Sequence, residues 1–246
     1  MKNLHSHYVK QLSYFGYEFG HVGKYRLESW QKSYIEKIKK YMLGESHKKV
    51  LIDIASGSGY ISVEMAKLGL NVIATDLSSE AINNLNKYKK QFSLHNLTIK
   101  KCFAEKIPLP DKSVDFIVAN AILEHIPGEM QAIEEWKRIL KPGGKMFITV
   151  PLKYQYVWPF LWIPNYVHDK RIGHLRRYDL NTLKYRFKLP IINVFYSGHL
   201  IKILVIIIAV VLKTSRFDDY FEDIDQTMQS KIYGASNISV IFKNEK

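Results

Sequence analysis

The sequence predicts an α/β protein with a doubly wound, seven-stranded, mostly parallel sheet and an inserted substrate cap. Three observations support this fold class. Short apolar runs, the first over 50–54, alternate with segments of helical periodicity. A turn containing Gly57 and Gly59 joins the first run to the helix that follows it. The alternation of strand and helix continues to about residue 151, which is the element order that builds a parallel sheet.

Each element has its own signal. Aromatic and apolar residues at helical spacing predict an amphipathic helix over 27–42. Apolar runs predict strands over 50–54, 71–75, 97–100, 114–119, 145–150, 191–196 and 237–242. Helical spacing also predicts helices over 61–68, after Ser78, over 130–139 and after Asp179. Ser78 and Asp179 are predicted N-caps, and Pro142-Gly143-Gly144 is predicted to end the third of these helices.

The predicted topology places a ligand site at one edge of the sheet. Right-handed crossovers bring the C-terminal ends of parallel strands to the same edge. Ligands of doubly wound sheets bind outside that edge. Candidate site residues are therefore those that directly follow the predicted strands.

Composition narrows the class of protein. The chain of 246 residues is 47% hydrophobic and 24% charged, which is typical of a globular protein of one domain or one domain with a cap. The single cysteine, Cys102, excludes a disulfide framework and a cysteine-rich zinc site. The first residues contain no apolar run of the secretory type, so we expect a cytoplasmic protein with an option of membrane association.

Charge is concentrated in two blocks. The net charge is +13, and residues 1–50 (ten Lys/Arg, four Asp/Glu) and 151–200 (eight Lys/Arg, two Asp/Glu) each contribute +6. Such blocks could bind nucleic acid, an anionic membrane surface or a phosphorylated substrate. The alternative is that they form a Lys-rich surface that keeps the protein in solution.

The residues at the first two strand ends indicate a nucleoside cofactor. Asp76 ends the second strand, where a carboxylate can accept hydrogen bonds from both ribose hydroxyls. The turn after Asp53 lacks both the third small residue of a dinucleotide fingerprint and the lysine of a P-loop. Asp53 would repel a pyrophosphate but suits a cofactor with a positively charged amino-acid end.

Five motifs in order resemble class I S-adenosylmethionine (SAM)-dependent methyltransferases of the type 11 branch, which includes ubiquinone and menaquinone methyltransferases. They are Asp53-x-Ala-x-Gly57-x-Gly59, Asp76, Ala104-Glu105 with the following Asp111-x-Ser113-x-Asp115, Leu123-Glu124-His125, and Arg138-Ile-Leu-Lys-Pro142-Gly143-Gly144. The resemblance covers about residues 48–151 and implies a Rossmann-like fold that uses SAM.

The resemblance also implies roles for individual residues. Asp53 and the backbone of Ala55, Gly57 and Gly59 would hold the methionine end of SAM, and Asp76 the ribose. Ala104 and Glu105 would lie by the adenine, and Asn120 by the methionine moiety or the methyl-transfer site. Two positions differ from the family pattern, because Ala55 replaces a glycine and Phe103 replaces the aspartate that meets the adenine amino group.

Histidines are the candidate catalytic groups. A general base is needed only if the acceptor is an alcohol, a phenol or an activated carbon. His125, just after the fourth strand, is the first candidate, and His174 and His168 are weaker ones. The alternative is that these histidines are packed or solvent-facing residues. Their spacing predicts no metal site.

Residues 152–246 are predicted to form the substrate cap plus the last two strands, residues 1–47 a helical lid, and residues 48–151 the SAM-binding core. An aromatic stretch with a basic run spans 158–177 and suits contact with lipid headgroups. The apolar run 203–212 is half the length of a bilayer span, so it is either a buried helix or a surface that meets lipid. The acidic residues over 218–225 are predicted to face solvent.

The predicted function is SAM-dependent methylation of a small molecule, anionic or lipid-linked, with O-methylation as the first hypothesis. One alternative is an RNA (tRNA) methyltransferase, although no RNA-binding module is recognisable and nucleic acid is an unlikely partner. A non-catalytic scaffold with a SAM fold is the other alternative, suggested by Ala55 and Phe103. The sequence leaves the oligomeric state open.

Overall fold

A single seven-stranded sheet organises the part of the chain that the computed structural model describes, residues 25–43, 49–199 and 218–245. Its strand order is β3-β2-β1-β4-β5-β7-β6. The strands are β1 Val50–Ile54, β2 Asn71–Asp76, β3 Leu97–Lys101, β4 Val114–Asn120, β5 Leu140–Pro151, β6 Ile191–Ser197 and β7 Asn237–Lys243. The pairings from β3 through β5 are parallel, and β7 pairs antiparallel with both β5 and β6. The predicted fold class is confirmed.

Helices cover both faces of the sheet. They are α1 Ser29–Ile38, which continues as a π-helical turn over Lys39–Leu43, α2 Tyr60–Lys67, α3 Ser79–Gln91, α4 Glu129–Ile139, α5 Trp162–Ile172, α6 Leu180–Phe187 and α7 Asp218–Thr227. Ser78 and Asp179 cap α3 and α6 by accepting backbone hydrogen bonds from Ala81 and Thr182. Both predicted N-caps are therefore confirmed.

Alternate residues of the buried strands enter two separate apolar cores. Leu51 packs with residues of α1, α2 and α3, whereas its neighbour Ile52 packs with residues of α4 and α6. Side chains of a strand point to opposite faces in turn, so a continuous apolar run fills both cores. Ile38 of α1 is fully buried in the first core, which fixes this helix against the sheet.

Strand β5 begins earlier than predicted. The sequence places it over 145–150 and uses Pro142-Gly143-Gly144 to end the helix, but α4 already ends at Ile139 and β5 starts at Leu140. The glycines lie inside an irregular pairing with β4. A Cβ at Gly144 would lie 2.9 Å from the carbonyl oxygen of Asp115. Glycine at this position therefore allows the two backbones to approach closely.

The predicted apolar run 203–212 lies outside the described residues. Among the helices that are described, none has the length and apolar character needed to cross a membrane. The prediction that the acidic residues over 218–225 face solvent is wrong for Asp225. This residue is fully buried, and its carboxylate accepts hydrogen bonds from the backbone N–H groups of Gly198 and His199.

Candidate active site

The turn after β1 forms the first part of the site. Ala55, Gly57 and Gly59 all have positive φ angles, of 53°, 53° and 79°. A Cβ at Gly59 would lie 2.6 Å from Leu85 Cδ2 of α3, so glycine is required there by packing as well as by conformation. The turn thus brings main-chain groups to the C-terminal edge of the sheet at the start of α2.

Asp76 ends β2 beside this turn. Its Oδ2 accepts a hydrogen bond of 2.8 Å from the Gly57 backbone N–H, and its Oδ1 accepts one of 2.8 Å from Ser78 N–H. Burial raises the pKa of the Asp76 carboxyl, and these backbone donors act in the opposite direction. The carboxylate is therefore held in a fixed orientation.

Asp53 lies at the same edge and is 2% exposed. Its Oδ2 accepts a hydrogen bond of 2.6 Å from the Ser62 hydroxyl, in the first turns of α2. Burial raises the pKa of the Asp53 carboxyl to about 7, the Ser62 bond opposes this, and the charge of Asp76 raises the pKa further. The two acids are close enough for their charges to interact, which creates a region of negative potential suited to a cation.

Asn120 ends β4 next to the turn. Its Nδ2 donates to the Tyr60 hydroxyl at 3.2 Å, so the end of β4 is joined to the first residue of α2. Asn120 Oδ1 is buried and has no hydrogen-bond partner among the residues that the structure describes. A buried amide oxygen without a partner is costly in a folded protein, and a bound ligand with a donor group would satisfy it.

The segment predicted to border adenine follows β3. The Ala104 carbonyl accepts a hydrogen bond of 2.9 Å from Trp136 Nε1, which ties this segment to α4. The side chain of Phe103 is half exposed. It therefore offers a flat apolar surface in place of the carboxylate usual in the family, while the roles of Ala104 and Glu105 remain predictions.

The two candidate catalytic histidines lie together. The rings of His125 and His174 are 4.7 Å apart between centroids, in an edge-to-face arrangement. His174 Nδ1 is 2.8 Å from Asp169 Oδ1, and His174 Nε2 is 3.6 Å from Glu124 Oε1. His168 is farther away, with its ring centroid 6.2 Å from that of His174.

Glu124 is an unusual neighbour for these rings, because it is 1% exposed and its Oε2 has no hydrogen-bond partner in the described part of the chain. Burial raises the pKa of the Glu124 carboxyl to about 8. Although the sequence predicts no metal site, ligand atoms of Glu124, His125 and His174 all lie within 4.8 Å of one another.

The basic run over 170–177 divides into two parts. Arg177 donates to Asp169 at 2.6 and 2.8 Å and is nearly buried, and Arg176 donates to the Ile126 carbonyl at 2.6 Å. Arg177 therefore pairs with a carboxylate of α5, and Arg176 joins the segment after α5 to the turn before α4, while the contact with lipid headgroups stays a prediction. Lys170 and Arg171 are exposed.

Sequence reasoning missed several residues of the site. Tyr60 follows the glycine turn directly, and its adjacency to Gly59 was the available signal. Asp169 lies between the aromatic stretch and the basic run, and nothing local in the sequence indicates that it orients His174. Only the folded chain brings position 124 to position 174.

Residues 52–148 match a family profile described as a methyltransferase domain. This match spans the turn, Asp76, Asn120 and His125. Residues 52–148 are therefore a methyltransferase domain of the type 11 branch. The predicted resemblance and cofactor are thereby confirmed.

Relatives of the methyltransferase domain include enzymes named for quinone biosynthesis. The chain is 32% identical over 124 residues to a demethylmenaquinone methyltransferase of Chlorobaculum tepidum, covering 50% of this chain and 49% of that one. It is 30% identical over 105 residues to a ubiquinone biosynthesis O-methyltransferase of Actinobacillus pleuropneumoniae, covering 41% and 45%. The chain thus spans about half the length of the curated relatives that it matches.

Solved structures share the fold of the methyltransferase domain and its flanks. A Haemonchus contortus phosphoethanolamine N-methyltransferase 2 in complex with SAM has a TM-score of 0.65 and 17% identity, over 87% of this chain and 53% of that one. The [4+2]-cyclase SpnF has a TM-score of 0.61 and 14% identity, over 91% and 84%. At these identities the likeness establishes the fold alone, and function must be argued from the site.

Proposed function

We propose that this protein transfers the methyl group of SAM to a small-molecule acceptor, with an oxygen as the first candidate for the accepting atom. The observation that carries this proposal is the joined arrangement of the glycine turn and Asp76, with Asn120 beside them. In the reaction the S–CH₃ bond breaks with its electron pair going to sulfur, a C–O bond forms, and the acceptor hydroxyl gives up its proton. The protein supplies position and electrostatics, because the reactive group belongs to the cofactor.

The residues at the sheet edge fit SAM. Asp76, held by the Gly57 N–H, would accept hydrogen bonds from the ribose hydroxyls, and Asp53, held by Ser62, would favour the positively charged amino-acid end. The unpartnered Asn120 Oδ1 is available to a donor group of the cofactor. SAM supplies an electrophilic methyl group on a sulfonium, and main-chain groups of Ala55, Gly57 and Gly59 would hold its methionine end.

Acceptor activation is assigned to His125 and His174. His125 lies five residues after the end of β4 at Asn120, and its ring centroid is 4.7 Å from that of His174. Asp169 fixes the orientation of the His174 ring, as a carboxylate does for an imidazole in many enzymes. We therefore propose that the acceptor is activated at this pair of histidines.

We further propose that the acceptor is anionic or lipid-linked and that the protein binds it at a membrane surface. Large apolar side chains of α5 and the turn before it are exposed, among them Ile163 at 76%. The others on this surface, here named the α5 face, are Trp158, Phe160, Trp162, Tyr166 and Val167. Exposed Lys170 and Arg171 follow one turn later on the same helix. Aromatic side chains beside basic ones are typical of proteins that bind at the level of lipid headgroups.

Product analysis tests this proposal. Purified protein is incubated with methyl-labelled SAM and either soluble uncharged phenols or a lipid extract, and labelled products are identified by mass spectrometry. We expect label in an anionic or lipid-linked product and none with an Asp76→Ala variant. Turnover of soluble uncharged acceptors alone would overturn the acceptor class, and SAM that fails to bind would overturn the function. The comparisons favour neither the RNA methyltransferase nor the scaffold alternative.

A further inference from the structure

We infer that Glu124, His125 and His174 form a binding site for one divalent transition-metal ion on the acceptor side of the methyltransferase domain. This inference rests on the proposed function only for the role of the ion. The ligand set itself is argued from the positions of these side chains.

The spacing of the candidate ligands is close to that of a metal site. Their ligand atoms lie within 4.8 Å of one another, and Glu124 Oε1 is 3.6 Å from His174 Nε2. In tetrahedral coordination at about 2.1 Å, neighbouring ligand atoms are about 3.4 Å apart. The 3.6 Å separation already matches this value, and the wider separations require the side chains to rotate toward a bound ion.

Glu124 provides the second, independent observation. It is 1% exposed, and its Oε2 makes no hydrogen bond with any residue over 25–43, 49–199 and 218–245. Burial of a carboxylate oxygen without a partner is costly. A cation bound between Glu124 and the imidazoles would satisfy this oxygen.

The surrounding residues prepare His174 as a ligand. Asp169 Oδ1 lies 2.8 Å from His174 Nδ1 and so directs the other ring nitrogen toward Glu124. Arg177 in turn holds both oxygens of Asp169. A carboxylate behind the imidazole is the usual support of a histidine that binds metal, because it fixes the tautomer and the ring orientation.

The backbone joins the two segments that supply the ligands. Leu175 N–H donates to the Glu124 carbonyl at 2.9 Å, and Arg176 Nη1 donates to the Ile126 carbonyl at 2.6 Å. The short helix Leu123–His125 and the turn at His174 are therefore held in register. The site is built into the fold and does not depend on an exposed loop.

Nearby positive charge does not remove the site's capacity for a cation. Arg177 is paired with Asp169, and Arg176 lies 3.4 Å from Glu129 Oε2. Arg186 is also 3.1 Å from Glu129. Each arginine thus has a hydrogen-bonding or ion-pair carboxylate other than Glu124, so none of them occupies the Glu124 oxygens.

Two imidazoles and one carboxylate favour Zn²⁺ or a similar first-row ion over Mg²⁺ or Ca²⁺, which prefer oxygen ligands. Three protein ligands leave a coordination position open. An ion there would bind an oxygen of the acceptor and lower the pKa of its hydroxyl, so that the proton leaves to water before methyl transfer. The histidines would then act as ligands and not as proton acceptors.

Metal binding by tag-free protein tests the inference. The protein is stripped with a chelator, titrated with Zn²⁺ and Co²⁺, and assayed by elemental mass spectrometry and by the visible absorbance of Co²⁺. We expect one ion per chain, and a Glu124→Gln variant should bind it at least about tenfold more weakly. Because glutamine nearly matches glutamate in size, circular dichroism should show an unchanged fold. His168→Gln is the matched control and should bind metal like the wild type.

Each outcome decides the inference. Failure of the wild type to retain metal, or equal retention by the wild type and Glu124→Gln, would overturn it. Calorimetric titration of SAM into the metal-free protein separates this failure from failure of the proposed function, because none of the three ligands is among the predicted cofactor residues. SAM binding without metal binding would overturn the metal site but leave the proposed methyltransferase function in place.

Discussion

The Gly57 backbone N–H donates a hydrogen bond of 2.8 Å to Oδ2 of Asp76. This bond joins the turn after β1 to the carboxylate that ends β2, so two features that the sequence predicts separately form one unit. Ser78 N–H holds the other oxygen. Each carboxylate oxygen can accept a second hydrogen bond, and Asp76 can therefore bind ribose hydroxyls while its orientation stays fixed.

Ala55→Gly should leave the protein as stable as the wild type or stabilise it by up to about 1 kcal/mol. Ala55 has a φ of 53°, a conformation that costs an alanine about 1–2 kcal/mol and a glycine nothing. The greater flexibility of glycine in the unfolded chain offsets about 0.4–1 kcal/mol of this gain. Urea unfolding measures the difference, and calorimetry should show SAM binding equal or tighter.

Ala66→Gly is the matched control, since Ala66 lies inside α2. The same substitution there should destabilise by about 1 kcal/mol or more. Equal destabilisation by both variants would contradict the strained conformation of Ala55.

Ile163→Asp should weaken binding to anionic vesicles by about tenfold or more, because an exposed isoleucine that enters lipid contributes about 2 kcal/mol. Lys170→Glu combined with Arg171→Glu should abolish the preference for anionic over zwitterionic vesicles. Vesicle cosedimentation at two salt concentrations measures both effects.

Tyr185→Ala provides the control for the α5 face, because Tyr185 is 72% exposed but lies on α6. It should bind vesicles like the wild type. Loss of binding in this variant, or unchanged binding in Ile163→Asp, would argue against the α5 face as the contact.

His199 and Asp225 should make stability depend on pH. Both ring nitrogens of His199 have acceptors, since Nδ1 is 2.7 Å from Asp225 Oδ1 and Nε2 is 2.8 Å from the Lys231 carbonyl. The hydrogen bond to Asp225 raises the pKa of His199 despite its burial. The stabilisation is complete below the unfolded pKa of about 6.5 and is lost as pH rises through the folded value.

The free energy of unfolding of the wild type and of Asp225→Asn should therefore differ most near pH 6. A difference of about 3 kcal/mol is expected there, and it should shrink as the pH rises past neutrality. Asp219→Asn is the control, because the exposed pair of Asp219 with Lys32 should make no resolvable difference. A difference for Asp225→Asn that grows with pH would contradict a protonated His199.

Much of the fold follows from the sequence because its signals are local. Apolar runs set the strands, Ser78 and Asp179 set two helix starts, and the turn at Gly57 and Gly59 marks the site. The predicted start of β5 is wrong. Pro142-Gly143-Gly144 is a local pattern typical of a helix end, whereas pairing with β4 extends the strand through these residues. Pairing between distant strands is not visible in a local pattern.

The sequence predicts the residues of the candidate site only where they lie at the end of a predicted strand. Asp53, Asp76 and Asn120 each end a predicted strand, so topology alone brings them to one edge. Contacts between the core and the cap could not be predicted, because positions 124 and 174 meet only through the path of the chain between them. The pairing of Arg176 and Arg177 could not be predicted for the same reason, since their partners lie on other elements.

Calorimetric titration of SAM into the wild type and Asp76→Ala tests the central claim most directly, with Asp111→Ala as an exposed-carboxylate control. The claim is that the glycine turn and Asp76 together bind the cofactor. Hydrogen bonds to a charged group contribute about 1.5–3 kcal/mol each, so Asp76→Ala should weaken binding by about a hundredfold while Asp111→Ala binds like the wild type. Equal affinity of Asp76→Ala and the wild type, with both folded, would contradict it.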